Sequence, residues 1–139
     1  MNSVAFISAE ACEDAFYAAF AACDIEQMMA VWVHDAPLVC IHPGSAPLTS
    51  RHAVEDSWRE IFNAGGGVQF SLTEQKVMES QEVCVRYVHE NIHHGPGLRS
   101  MAVVCATNVY VLENGSWRMC LHHASPGPAA PKAGDGRLH

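Results

Sequence analysis

The apolar residues of this 139-residue chain change their spacing at a run of three glycines, Gly65 to Gly67. Before this run they recur mainly at helical intervals, and after it they follow the pattern of strands. Because glycine ends a helix firmly, the change predicts three helices followed by a run of antiparallel strands. A chain of this kind forms an α+β domain whose helices gather on one face of the sheet.

The first two predicted helices each start at a residue that can cap them. Ser8 precedes a helix that runs to about Cys23, along which apolar residues form one stripe. Asp24 then begins a second helix, and Gln27 stands where a capping box needs it. The chain is therefore expected to turn between two adjacent helices near residue 24.

A short strand separates the second helix from the third. Pro37 ends the second helix and opens a strand from Leu38 to Ile41. The loop at residues 43–49 is rich in proline and glycine, and the third helix covers about residues 51–63.

The second half of the chain predicts four strands. Asn114-Gly115 is the residue pair that a two-residue hairpin turn favours, because both central positions need positive φ. The predicted strands cover residues 68–79, 82–93, 100–112 and 117–125.

These elements form one predicted domain, residues 1–125, followed by a tail at 126–139 that is expected to be disordered. The strands at 101–112 and 117–121 are apolar on both faces, whereas a sheet with one wet face alternates apolar with polar residues. The second face is therefore expected to be covered by another copy of the chain, which predicts a homodimer.

Composition argues against several classes of partner. The formal net charge is −7 and the eight basic residues form no run, so no nucleic-acid partner is expected. No apolar run approaches the roughly 20 residues that span a bilayer, and the first residues make a poor secretory signal. We therefore expect no membrane partner and a cytoplasmic protein.

The six cysteines have no C-x-x-C spacing and are interpreted as reduced core residues.

The predicted sheet ends in Gly-x-Trp-Arg at residues 115–118 and a His pair at residues 122–123. Together with the order of the elements, these motifs resemble the nuclear transport factor 2-like, or ketosteroid isomerase-like, superfamily. The resemblance is in particular to its small polyketide cyclase-like domains. The resemblance covers about residues 8–125. It implies a cone-shaped, curved antiparallel sheet with three N-terminal helices on its concave face. It does not imply one activity, because this fold carries isomerases, dehydratases, cyclases and non-enzymatic adaptors.

Each of the three catalytic positions of the ketosteroid isomerases corresponds to a different type of residue in this chain. His42, before Pro43, stands where those enzymes keep a catalytic aspartate at a strand end. Phe16 falls at the position of the oxyanion-binding tyrosine, and Asn108 at that of the protonated aspartate. Steroid isomerisation is therefore not expected.

His42 is the first candidate for a functional residue. An imidazole has an ordinary pKa near 6.5, so at a cavity it can accept or donate a proton at neutral pH. The alternative is a structural histidine that bonds to the backbone of its loop. Asn108, in an apolar strand, either contacts a ligand or bonds to a neighbouring strand or loop.

His122 and His123 are adjacent on a strand and therefore face opposite sides of the sheet. The bulk of the neighbouring side chains favours His123 as the inward residue, whereas the resemblance favours His122 together with Cys120. We take His122 as the candidate that acts with His42 and Asn108, and keep His123 and Cys120 as ligand contacts. Trp32, Trp58 and Phe16 would supply an aromatic wall, although such residues more often only pack the core.

No metal site and no cofactor are predicted, because the histidines lack metal-ligand spacing and the chain has no phosphate-binding glycine loop; metal chemistry is the weakest of the hypotheses. The leading hypothesis is a homodimeric domain whose apolar cavity binds a small hydrophobic or aromatic molecule. If it is an enzyme, it would use proton transfer for isomerisation or dehydration. The alternative is a dimerisation or ligand-binding module without catalysis.

Overall fold

A computed structural model describes residues 5–65 and 67–128. Three α-helices precede most of a five-stranded sheet, which confirms the α+β class. A single turn of 3-10 helix at Pro96–Leu98 lies between the third and fourth strands. The elements are α1 (Ala9–Ala22), α2 (Ile25–Val31), β1 (Val39–Ile41), α3 (Arg51–Asn63), β2 (Gln69–Glu79), β3 (Val83–His94), β4 (Ser100–Glu113) and β5 (Ser116–Pro126).

Side-chain caps define where the helices begin. Ser8, Asp24 and Ser50 each accept a hydrogen bond from the backbone N–H three residues later. Such a bond satisfies an N–H that the helix itself cannot pair. The caps predicted at Ser8 and Asp24 are confirmed.

The second helix is shorter than predicted, because it ends at Val31 and not at Pro37. Trp32 is already extended and forms a parallel bridge with Met119, and the N–H of Val33 donates to the Met119 carbonyl. Pairing with the sheet therefore competes successfully with continuation of the helix.

The strands lie in the order β1-β5-β4-β3-β2. Four of them are antiparallel, and the hairpin predicted at Asn114-Gly115 is confirmed, with φ of 51° and 82° at the two turn residues. The predicted antiparallel strands thus form most of a mixed sheet, to which β1 adds a parallel pairing with β5. This pairing places residue 42, at the end of β1, near His122 and His123 of β5. The curvature and cone shape stay predictions.

One face of the sheet packs against the helices and forms the core. Every second residue of β3 and β4 is buried there, and α1 contributes Cys12, Phe16 and Ala19 to the same cluster. Among the described residues, no helix is long and apolar enough to cross a membrane. The buried residues of the two central strands are Cys84, Arg86, Val88, Glu90, Ala106, Asn108 and Tyr110.

The described chain continues slightly past the predicted domain boundary. β5 extends to Pro126, and the N–H of Gly127 donates to the carbonyl of Val103 at 2.8 Å. The rest of the predicted disordered tail, residues 129–139, lies outside the described residues. All six cysteines are free thiols, and Cys12, Cys40 and Cys84 are buried.

Candidate functional site

An open cleft of about 480 Å³ lies between the loop after β1 and helix α3. His42 enters it from the end of β1, and Ser57 from α3. The cap at Ser50 fixes the start of α3, and Pro43 and Pro47 restrict the loop that forms the other wall. The lining residues are His42, Ser45, Ala46, Leu48, Ser57, Glu60, Ile61 and Ala64.

The hydrogen bonds of His42 define which of its nitrogens can accept a proton. Its Nε2 lies 3.0 Å from Ser57 Oγ, and that hydroxyl donates its single proton to the Val54 carbonyl at 2.7 Å. With the Ser57 proton on the Val54 carbonyl, His42 Nε2 is the donor to Ser57 Oγ and the lone pair is on Nδ1; Cys40 Sγ also lies 3.6 Å from Nε2. Burial lowers the pKa of His42 below its ordinary value of 6.5. The imidazole is neutral at pH 7 and can act as a proton acceptor.

An aromatic cluster separates the cleft from the centre of the core. The Trp58 ring lies 4.9 Å from that of His42 and 6.1 Å from that of His122, and Phe16 packs against both Trp58 and His122. Trp58 is fully buried, and its indole N–H has no hydrogen-bond partner in the described part of the chain. The space between helix and sheet is thus filled by side chains at this point.

Behind Trp58 lies a buried polar network that starts at His122. His122 Nδ1 is 2.6 Å from Asn108 Oδ1, and Asn108 Nδ2 donates to Tyr17 Oη at 3.0 Å and to Glu13 Oε2 at 3.2 Å. His122 is 2 % exposed and Asn108 is not exposed. Burial, followed by the charges of His42 and His123, lowers the pKa of His122 to about 3, so its imidazole stays neutral.

The network continues from α1 to strands β3 and β4. Tyr17 donates to Glu90 Oε2 at 2.5 Å, while Glu13 accepts from Tyr110 at 2.7 Å and from Arg86 Nε at 2.9 Å. Burial raises the pKa of Glu90 to about 7, with Tyr17 acting in the opposite direction. Burial also raises the pKa of Tyr17. The interior therefore holds the ion pair of Arg86 with Glu13 and, at Glu90, a carboxyl group that is partly protonated at neutral pH.

The structure brings together only part of the predicted site. His42 lines the cleft, with Trp58 and Phe16 packed behind it, whereas Asn108 and His122 belong to the closed network. The catalytic roles of these residues stay predictions.

Three predicted ligand contacts lie elsewhere. Trp32 is fully buried at the end of α2, and Cys120 is half-buried at a β-bulge opposite Val109 and Tyr110. Of the two histidines whose facing the sequence left open, His122, the one favoured for the cavity side, is buried; His123, kept as a ligand contact, is exposed and paired with Ile41 and Thr107.

Glu13, Tyr17, Glu90 and Tyr110 were not predicted from the sequence. The hydroxyl that Phe16 lacks is supplied one residue later, by Tyr17. The helical spacing of Glu13 and Tyr17, and the alternation of Glu90 with buried Val88, could have identified two of these positions. Among the described residues, no group of three or more His, Cys, Asp or Glu side chains is arranged to hold a metal ion.

Several solved structures have the same fold. A protein of Thiobacillus denitrificans, provisionally assigned as a calcium/calmodulin-dependent protein kinase type II association domain, is 41 % identical with a TM-score of 0.83, and the match covers 90 % of this chain and 99 % of that one. An NTF2-like protein of Streptomyces avermitilis, provisionally assigned as a dehydratase, is 29 % identical with a TM-score of 0.76, and the match covers 85 % and 93 % of the two chains.

A ketosteroid isomerase-like structure from Shewanella frigidimarina, at 12 % identity and a TM-score of 0.69 over 82 % of this chain and 91 % of that one, shares the fold alone. A curated relative, the F-box protein SKIP8 of Arabidopsis thaliana, is 25 % identical over 103 residues. The match covers 73 % of this chain but only 42 % of that protein's length. The model of the SnoaL-like domain matches residues 9–130, and the chain belongs to the SnoaL-like domain family, with an NTF2-like fold.

Proposed function

We propose that the chain binds a small, mainly apolar molecule in the cleft beside His42, and that His42 Nδ1 accepts a hydrogen bond or a proton from it. The observation that carries this proposal is the neutral imidazole at an open cleft of about 480 Å³. Its Nε2 is committed to Ser57, so the orientation of the ring is set before a ligand arrives. A volume of this size lies in the range of small-molecule sites.

The chemistry available at the cleft suits proton abstraction next to a carbonyl group. Burial lowers the pKa of His42 below 6.5, so the imidazole is mostly unprotonated at pH 7 and therefore ready to accept a proton. The Streptomyces relative named as a dehydratase and the isomerase-like structure are compatible with proton-transfer chemistry, which we propose here for His42 alone. Asn108 and His122 are not required to touch the ligand.

Thermal unfolding with a panel of hydrophobic ketones and aldehydes tests the binding proposal. A ligand that binds only the folded chain raises its stability, by about 2.7 kcal/mol at 100 times the dissociation constant. His42→Ala should remove the shift that a binding compound produces. His52→Ala is the matched control, because His52 lies on α3 with 88 % of its side chain exposed and is not among the cleft residues.

A panel without any stabilising compound, or a shift that survives in His42→Ala, would refute the proposal. Loss of the shift in His52→Ala as well would show that the substitutions act through the helix and not through the cleft.

A second candidate function is association with another copy of the chain. The strand registers place five apolar residues in one row across the whole sheet: Val39, Leu121, Val109, Val85 and Met78. Met78 is 63 % exposed, and the other four are half-buried. This row lies on the sheet face away from the helices, and covering its apolar surface would stabilise a homodimer. The 41 % identical relative is itself named for an association domain.

Light scattering during size-exclusion chromatography separates this candidate from a monomer. Val109→Lys should dissociate the dimer, because it places a charge at the middle of the row. Val77→Lys is the control, since Val77 pairs with Arg86 and so lies on the opposite face at a 48 % exposed position. A wild-type mass equal to one chain at all accessible concentrations would exclude the dimer.

A further inference from the structure

A second hollow adjoins the cleft and extends it in one direction. It encloses about 220 Å³ and shares Ile61 and Ala64 with the lining of the cleft. Ile61 is 37 % exposed and contributes to the lining of both hollows, so it lies at the boundary between them. The other residues of the second hollow are Phe20, Cys23, Phe62, Gly65 and Val68, none of which carries a charge.

The two hollows differ in polarity. The cleft contains His42, two serine hydroxyls and Glu60, whereas the second hollow is apolar. A molecule that fills both must have a polar end and an apolar chain. The polar end would lie on the His42 side of Ile61.

The cleft offers an anionic head no positive partner among its lining residues. Glu60 is its one charged side chain in the described part of the chain. The basic residues of α3 are engaged elsewhere, since Arg51 donates to the carbonyls of Met29 and Val33 and Arg59 donates to Glu55. A carboxylate or phosphate that entered would lose hydration without gaining a cation. The formal net charge of −7 adds to this discrimination.

We propose that the ligand is an amphiphile with an uncharged or amine-bearing head beside His42 and Glu60, whose apolar chain passes over Ile61 into the second hollow. This inference rests on the proposed binding function and specifies the class of molecule that the cleft accepts. The carboxylate of Glu60 and the lack of a cation among the cleft residues select the charge of the head group. The size of the second hollow limits the length of the ligand's apolar chain.

Three probes with the same chain length test the head group: methyl hexyl ketone, octylamine and octanoate, each below its micelle-forming concentration. Amide NMR titrations give their affinities at low salt. Octylamine should bind roughly tenfold more tightly than octanoate, because the exposed Glu60 carboxylate attracts the ammonium group and repels the carboxylate. Glu60→Gln should reduce the ratio of the two affinities, and Glu60→Lys should reverse it. Glu26→Gln, at an exposed position of α2, should leave it unchanged.

A Val68→Asp variant tests the path of the chain. It should weaken the binding of methyl hexyl ketone several-fold and leave the binding of the short homologue methyl ethyl ketone unchanged. Val83→Asp, a substitution of the same kind at a 40 % exposed position on β3, should change neither affinity.

The outcomes distinguish this inference from the proposal on which it rests. If none of the probes binds, the binding function itself fails for this class of molecule, and the inference fails with it. If octanoate binds as tightly as octylamine, or if Val68→Asp does not discriminate between the two ketones, the cleft still binds ligands but the inference is overturned.

Discussion

The Glu90 carboxyl group should make the stability of the fold depend on pH near neutrality. It is 2 % exposed, accepts a hydrogen bond from Tyr17 and has its pKa raised from 4.5 to about 7, chiefly by burial. Because the folded chain binds this proton more tightly than the unfolded chain, the contribution is fully present below about pH 4.5 and is lost as the pH rises through about 7.

The size of the effect follows from the two pKa values. Linkage gives about 3 kcal/mol of stabilisation at about pH 5 and close to none at about pH 8. Glu90→Gln resembles the protonated acid at every pH and can still accept the bond from Tyr17. The free energy of unfolding of the variant, measured relative to wild type, should therefore rise by about 2–3 kcal/mol from about pH 5 to about pH 8.

Urea unfolding of the two proteins at a series of pH values measures this difference. His122 also titrates on unfolding, but it is common to both proteins, so its contribution cancels in the comparison. Glu26→Gln, at an exposed position of α2, should give a difference that is flat with pH. If the Glu90→Gln difference is also flat within about 0.5 kcal/mol, the carboxyl group is not held as a buried acid and the reasoning is refuted.

Three further predictions concern the same interior. Glu13→Gln should cost about 3 kcal/mol, because it removes the direct partner of the buried Arg86 and leaves the exposed Glu10 carboxylate 4.0 Å away in its place; adding Arg86→Met should recover part of that loss in urea unfolding. Trp58→Ala should cost about 3–5 kcal/mol, whereas Trp58→Phe should cost much less, since it also removes an indole N–H without a partner in the described chain. The ring of His122 should remain neutral in NMR titrations down to about pH 4, because its pKa is about 3; a chemical-shift transition near pH 6 would contradict its burial.

The elements that sequence predicted correctly are governed by local signals. The caps at Ser8 and Asp24 and the turn at Asn114-Gly115 depend on residues within four positions of each other. Helical and strand spacing likewise report which face of an element is apolar. These signals located all three helices and the five strands along the chain.

The features that sequence missed depend on partners that are distant along the chain. The bond between Arg86 and Glu13 joins residues 73 positions apart, and the network becomes favourable only when both charges are buried together. The parallel pairing of β1 with β5 is also long-range, and so is the separate bridge between Trp32 and Met119 that lies at the early end of α2. The filling of the interior by Trp58 depends on how the packed rings fit, which their spacing in sequence does not determine.

Trp58 is the reason that the candidate site is a cleft and not a deep cavity. Its ring lies 4.9 Å from that of His42, which lines the cleft, and 6.1 Å from that of the buried His122, and the two imidazole rings are 6.5 Å apart in the same packed cluster. If His42 accepts a proton from a ligand, as we propose, the open side of the cleft lets that proton return to the ligand or pass to solvent. The proposed chemistry therefore fits reactions in which one base both removes and returns a proton at a molecule that remains at the surface.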